Sequence, residues 1–374
     1  MRNLHGIKLV HSKKAKDEAT VNLPLPPTVT IPMLQHMGVG CTPLVVPGDL
    51  VKIGQLIGDS EELFSVPVHS SVSGTVTAVT DYVASSGKIE KQVTIAVSDE
   101  QEWVDIAPHP VSDQKTLVDA ARNAGLSGLG GAGFPVHVKL NYKNINQVDT
   151  LIVNAAECEP YITSDYREMM EHPNDIIDGI RTIMRCLSIT KAIIGVEDNK
   201  PDAITLLRSI ISSDDIKVLS LKGIYPQGAE KVMIYYATGR VLEEGQIPAD
   251  QGVVLMNVSS VSHLYRYIKT GTPLTHKRIT VDGSYVKNPM NIMAPIGTSI
   301  EYMLNFAGVD KQRAKKILMG GPMMGVAVYQ LDTPIIKNNN AIIVLDQKQA
   351  ETKPTTSCIR CGKCVRTCPV NLMP

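Results

Sequence analysis

Aromatic residues are scarce in this 374-residue sequence, with one tryptophan, three phenylalanines and twelve tyrosines. Base-stacking platforms are built from such rings, so their scarcity argues against nucleic acid as a partner. An excess of charge is missing too. Lys plus Arg and Asp plus Glu each number 37, for a formal net charge of +0. That leaves no bulk attraction for polyanions. No apolar run approaches the roughly 18 residues that cross a bilayer. The N-terminal MRNLHGIKLVHSKKAKDE lacks the apolar core of a signal peptide. No transmembrane segment is expected, and the chain reads as soluble by itself and intracellular. Cys41, Cys158 and Cys186 are widely separated, which excludes a disulfide framework in that compartment.

What is present comes in blocks, and the length suffices for two or three domains. Residues 1–110 alternate short apolar stretches with Gly and Pro, as in TPLVVPGDLVKIGQLIG from Thr42 and SVPVHSSVSGTV from Ser65. These stretches resemble the two halves of biotinyl and lipoyl carrier domains, flattened β-sandwiches that present a modifiable lysine between the halves. Here the interval 59–64 is DSEELF, without lysine. The module is expected to be structural and not a swinging arm.

From about residue 111 the rhythm changes to alternating helix and strand. Helices are expected at 117–123, 173–187, 202–211 and 229–238, and strands at 149–154, 191–196, 216–221 and 252–257. That alternation predicts an α/β fold with a largely parallel sheet and helices on its faces. A third block at 271–345 reads as a hairpin followed by a helix. Within it, MGGPMMG at 319–325 reads as a tight turn flanked by core methionines. The polar DQKQAETKPTT at 346–356 suits a linker.

Beyond the linker, Cys358, Cys361, Cys364 and Cys368-Pro369 follow the C-x2-C-x2-C-x3-C-P spacing of bacterial ferredoxins. Cubane iron requires soft thiolate donors, and this spacing wraps one loop around one cluster. A zinc knuckle is the competing reading, but zinc sites usually come as two separated pairs. In two-cluster ferredoxins the fourth cysteine serves the other cluster. A second run should follow, and the sequence stops at Pro374. The expectation is therefore a truncated ferredoxin-type segment over 346–374 with incomplete ligand sets.

The glycine-rich stretch GLSGLGGAGFPVHVK spans 125–139. A dinucleotide fingerprint expects a strand just before its glycines, whereas a helix is expected here. The residues alone read as a backbone cradle for phosphate with Lys139 nearby, or as a flexible loop. Carboxylates at Glu157 and Glu159 read by themselves as solvated loop residues.

Gly130-Gly-Ala-Gly-Phe-Pro135 with Lys139, followed by Asn154-Ala-Ala-Glu157-Cys-Glu159-Pro160, resembles the FMN- and NADH-binding subunit of respiratory complex I. The nearer resemblance is to the RnfC subunits of the Rnf complexes, ion-translocating ferredoxin–NAD oxidoreductases. Those proteins share the order carrier-like sandwich, flavin domain, soluble-ligand-binding β-grasp module and ferredoxin-type runs. The resemblance implies a Rossmann-like FMN/NADH domain at 111–270 and a β-grasp module at 271–345. It implies that Gly128, Gly130, Gly131 and Gly133 wrap the FMN phosphate, with Lys139 near the flavin and Asn154 bonded to its ring. Phe134 would face the nucleotide, Asn257 would lie beside the flavin, and Glu230 at the dinucleotide. Glu157 and Glu159 would lie on the flavin and nicotinamide side as the catalytic pair. Ala156 and Cys158 depart from the Asp and Gly of that pattern.

The cofactors implied are FMN, NAD(H) and 4Fe-4S clusters held by Cys358, Cys361, Cys364 and Cys368. A flavin converts a two-electron hydride into single electrons for a cluster. The implied role is a peripheral subunit on the cytoplasmic face of the membrane. Its partners would be other Rnf subunits, including membrane-embedded ones, with ferredoxin acting through the complex. A soluble cobalamin-reductase-type flavoprotein shares this domain order and remains open, whereas intact Gly130, Gly131, Gly133 and Lys139 argue against a scaffold that has lost its flavin.

Overall fold

Four parallel strands, in the spatial order Ile216–Leu221, Lys191–Glu197, Thr150–Ala155 and Val253–Asn257, form the centre of a computed structural model. The structure describes residues 6–84, 87–144, 147–352, 354–368 and 372–373. The run of apolar residues in each strand is explained by helices on both faces. Leu151 and Val153 pack with the helices Gln114–Asn123, Pro173–Leu187 and Val258–Thr270. Ile152, pointing the other way, meets Met233 and Ile234 of the helix Glu230–Thr238. Prolines open Pro173–Leu187 and Pro201–Ile210, where the missing N–H costs nothing. Asp113 and Thr116 form a capping box for Gln114–Asn123.

The strand order reverses direction between Thr150–Ala155 and Val253–Asn257. At such a switch point the loops leaving the carboxyl ends of the strands diverge and open a crevice. Asn154 and Asn257 stand opposite each other there in register.

The N-terminal module is a sandwich of two antiparallel sheets. One contains Thr28–Pro32, Ile89–Val97, Gly74–Val83 and Leu50–Val51, and the other Thr42–Pro43, Leu56–Asp59 and Val68–His69. Val29, Ile31, Ile57, Val68, Val93 and Ile95 fill the space between them. The 59–64 interval is docked. Asp59 pairs with Arg122 at 2.8 Å, Leu63 O is bonded to His137 Nε2 at 3.0 Å, and Phe64 meets Phe134 edge-on at 5.9 Å.

The third module is a six-stranded sheet in which Val21–Asn22 joins Met290–Pro295, His276–Asp282, Ala341–Leu345, Lys316–Met319 and Val326–Val328. The hairpin His276–Asp282/Met290–Pro295 is followed by the helix Ile300–Phe306. Two expectations fail here. Met323 and Met324 are exposed, not core, although the turn itself is tight, with Gly325 N bonded to Gly321 O at 2.7 Å. The 346–356 linker contains a helical turn, Gln347–Ala350, capped by Asp346 and tied by Gln349 Oε1 to Tyr161 Oη at 2.8 Å. Among the described residues no helix is long and apolar enough to cross a membrane.

Candidate functional site

The glycine loop begins as a narrow reversal in which Gly128 N donates to Phe134 O at 2.8 Å. Gly131 has φ +110° and Gly133 +66°, backbone that side-chain-bearing residues rarely adopt. The loop lies over the switch point, so close that a Cβ on Gly130 would stand 3.2 Å from Asn257 Nδ2. The sandwich, the central domain and the third module all hold it. Leu129 N donates to Ser260 Oγ at 2.9 Å, Met37 N to Gly133 O at 2.9 Å and Asn338 Nδ2 to Gly131 O at 2.9 Å. Lys337, 1 % exposed, donates to Pro67 O at 2.5 Å and to Gly125 O at 2.8 Å. One ammonium thus joins the sandwich, the central domain and the third module beneath the loop.

The peptide N–H groups of Gly130, Gly131, Ala132 and Gly133 have no acceptor among the described residues, and the space beside Gly131 is open. Clustered free amides form an anion-binding concavity. These residues fit a phosphate-bearing cofactor. Lys139 borders the loop, 5.8 Å from the Phe134 ring centre, and pairs with Glu230 at 2.9 Å. Asn154 Nδ2 donates to Gly228 O at 2.8 Å and its Oδ1 accepts from Ala156 N. Asn257 caps its helix through Ser260 N and donates to Asp165 Oδ2 at 2.7 Å. Both asparagines are thus held in fixed orientations by the protein itself.

The 157–162 turn is organised by Lys13, whose ammonium reaches Glu157 O at 2.9 Å, Glu159 O at 3.2 Å and Ile162 O at 2.5 Å. Glu157 is buried, and Oε1 accepts from Asp165 N at 2.7 Å while Oε2 lies 3.7 Å from Lys13 Nζ. Burial lifts its pKa to about 7 against the opposing pull of Lys13, and lowers that of Lys13 to about 8. A second buried cation, Lys200, supports the same turn through Ala156 O at 2.6 Å. Glu159 Oε2 accepts from Met323 N at 2.9 Å, so this carboxylate bridges to the exposed methionine turn of the third module. Its Oε1 is buried without a partner, and burial raises its pKa. Cys158, also raised by burial, sits beside Gly228.

The structure therefore gathers Gly128, Gly130, Gly131, Gly133, Phe134, Lys139, Asn154, Asn257 and Glu230 around one crevice, with Glu157 and Glu159 on the adjoining turn. Lys13, Asp165, Lys277, Lys337 and Asn338 escaped the sequence reading. Only Asp165 carries a local signal, as an acid in the first turn of the helix Ser164–Glu171.

The cysteines behave differently. Cys358, Cys361 and Cys364 are exposed and Cys368 is half-buried. Among the described residues no group of three or more His, Cys, Asp or Glu side chains is arranged to hold a metal. Pro369 lies outside the described residues. The donor chemistry suits iron–sulfur, but the geometry does not gather it around one point.

Three family models match the chain: the Nuo51 FMN-binding domain over residues 121–266, the RnfC barrel sandwich hybrid domain over 2–101 and the SLBB domain over 278–327. The RnfC subunit of the proton-translocating ferredoxin:NAD(+) oxidoreductase complex of Clostridium ljungdahlii is 38% identical over 374 residues, covering 99% of this chain and 82% of that protein. This chain belongs to the RnfC family. The counterpart from the Na(+)-translocating complex of Acetobacterium woodii is 40% identical over 370 residues, covering 96% and 83%. An NAD+-reducing [NiFe]-hydrogenase structure shares the fold at TM-score 0.54 and 22% identity, over 64% of this chain and 48% of that one. Membership of the RnfC family makes the chain a component of an oxidoreductase complex.

Proposed function

We propose that this chain is the peripheral FMN- and NAD(H)-binding electron-transfer subunit of a membrane-bound, ion-translocating ferredoxin:NAD oxidoreductase. Its partners are the other subunits of that complex, membrane-embedded ones included, and it sits on the cytoplasmic face. Ferredoxin exchanges electrons with it through the complex. The observation that carries this reading is the row of four acceptor-free amides at Gly130–Gly133, lying over the switch point of a parallel sheet. A bound flavin supplies the exchange between hydride transfer and single-electron transfer.

The chain's own groups have separable tasks. The amides of the glycine loop bind phosphate, and Lys139 adds a positive charge held in place by Glu230. Phe134 walls the nucleotide. Asn154 and Asn257 fix the depth of the crevice from adjacent strands. Glu157 and Glu159 orient the nicotinamide end. We assign 1–110, 111–270, 271–345 and 346–374 as successive units. No electron step is assigned through the cysteines, because the described geometry does not assemble them.

The test is to saturate the purified chain with FMN, desalt it, identify the retained flavin, and follow flavin bleaching by NADH in stopped flow. Retained FMN that NADH bleaches is expected. No retained flavin overturns the reading. In Glu159→Gln, bleaching is expected to slow roughly a hundredfold, the usual cost of losing an interaction made at the reacting centre, with flavin content unchanged. Bleaching at the parent rate would reduce Glu159 to a brace for the 320–325 turn.

A further inference from the structure

A cavity of about 310 Å³ opens between the helix Val258–Thr270, the segment 272–278 and Trp103 of the sandwich module. That is the size of a site for a small organic molecule. Ser259, His263, Arg266 and Thr270 line it at helical spacing from one face of the helix, and Pro273, Leu274 and Met293 make much of the rest apolar.

Its polar groups are donors left over. Lys277 is buried, and its ammonium is bonded only to Leu129 O, at 3.4 Å. His263 Nε2 is buried without any partner, and Arg266 Nε is buried without a hydrogen-bond partner, its nearest acid being Asp175 Oδ2 at 3.9 Å. The single acid in the lining, Glu168, is fully used. Its Oε1 accepts from Ser262 Oγ at 2.5 Å and Arg266 Nη2 at 2.8 Å, and its Oε2 pairs with Arg278. The acids behind the wall are used as well. Glu171 accepts from Thr20 N, Arg167 and Arg278, and Asp165 from Asn257 and Ser259. A buried donor without an acceptor is costly, and an acceptor entering the cavity would satisfy several at once.

We propose that this cavity binds a small organic acid, its carboxylate held by Lys277, Arg266 and His263 and its apolar body lying against Trp103, Pro273 and Leu274. A bare inorganic anion would satisfy the donors but leave the apolar walls wet. Burial keeps His263 and His276 neutral, with pKa values of about 3 and about 4, and lowers that of Lys277 to about 8, so near neutral pH the positive charge comes from Lys277 and Arg266. The site lies apart from the glycine cradle and does not depend on its occupant. It touches the cradle at one place, because Lys277 holds the carbonyl of Leu129.

Trp103 is the only tryptophan in the chain, so its fluorescence reports on this cavity. Titrating the full chain with benzoate is expected to change that fluorescence saturably below about 10 mM. Benzyl alcohol, the neutral isostere, and inorganic phosphate are each expected to bind at least about tenfold more weakly. His263→Phe keeps the volume and removes Nε2, and is expected to weaken benzoate about tenfold. Lys277→Met should weaken it at least as much where the variant folds, and His263→Phe decides the matter alone where it does not. The absence of saturable change with benzoate overturns the proposal. So does equal affinity for benzyl alcohol, tighter binding of phosphate than of benzoate, or unchanged affinity in His263→Phe.

Discussion

The glycine loop at 128–134 and the cysteine segment at 358–368 are both short, dense motifs, and they differ in what holds them. The loop is fixed by contacts from distant parts of the chain: Met37, Ser260, Lys277 and Asn338 all bond its backbone. Among the described residues, the cysteine segment has only neighbours as partners. Arg366 Nη2 reaches Cys361 O, Arg360 N reaches Cys358 Sγ and Leu372 N reaches Cys368 Sγ, all within five residues. The chemistry explains the contrast. Peptide N–H groups are weak donors one by one and bind an anion only when the protein has already aligned them. Thiolates bind metal strongly enough to draw a flexible segment into shape.

The largest effect should come from filling the space that the loop keeps open. Gly131→Val puts a branched side chain at φ +110° beside the free amides. FMN affinity is expected to fall roughly a thousandfold, about 4 kcal/mol, as read by retained flavin. Parent-like retention would show that the loop is not the cradle.

Removing the clamp beneath the loop comes next. Lys337→Met strands two buried carbonyls, on Pro67 and Gly125, at about 1–3 kcal/mol for each lost partner. Denaturant midpoints measure this, and a loss below about 0.5 kcal/mol would mean that Lys337 is not the clamp beneath the loop.

A smaller effect is expected in the pH dependence of stability. The folded pKa of Glu157, about 7, lies above its ordinary 4.5, so the folded state holds this proton more tightly than the unfolded chain. Its contribution to stability is full below about pH 4.5 and is lost as the pH rises to about 7. Glu157→Gln should flatten that decline by roughly 3 kcal/mol, measured by thermal unfolding across the range. An unchanged slope would remove Glu157 as its source.

The smallest effect should be in the tail. Cys361→Ser is expected to leave flavin retention and stability within about 0.5 kcal/mol of the parent. A larger loss would show that the segment is part of the folded body, and the contrast drawn above would fail.

The central sheet was legible because each of its strands is a short apolar run separated by an amphipathic helix, and periodicity reports that directly. The glycine motif was legible because side-chain-bearing residues rarely adopt the conformations at Gly131 and Gly133. Lys13, Lys277 and Lys337 were not. Nothing around them distinguishes a buried lysine from a solvated one, since their burial is decided by partners far along the chain. Met323 and Met324 were misread for the converse reason. Hydrophobicity suggested a core, but the turn they occupy projects from the sheet, and Glu159 fixes its backbone while leaving the side chains outside.

The bonds from Lys337 and Asn338 to Gly125 and Gly131 span 212 and 207 residues. During synthesis the glycine loop leaves the ribosome long before the residues that clamp it exist. A nascent chain therefore carries the whole glycine motif while lacking a finished cradle, until Ala341–Leu345 pairs with His276–Asp282 and carries 337–338 into place. Loading of the cradle is thus a late event that inspects the assembly of all three modules, and a polypeptide interrupted before residue 337 fails that inspection with its motif intact.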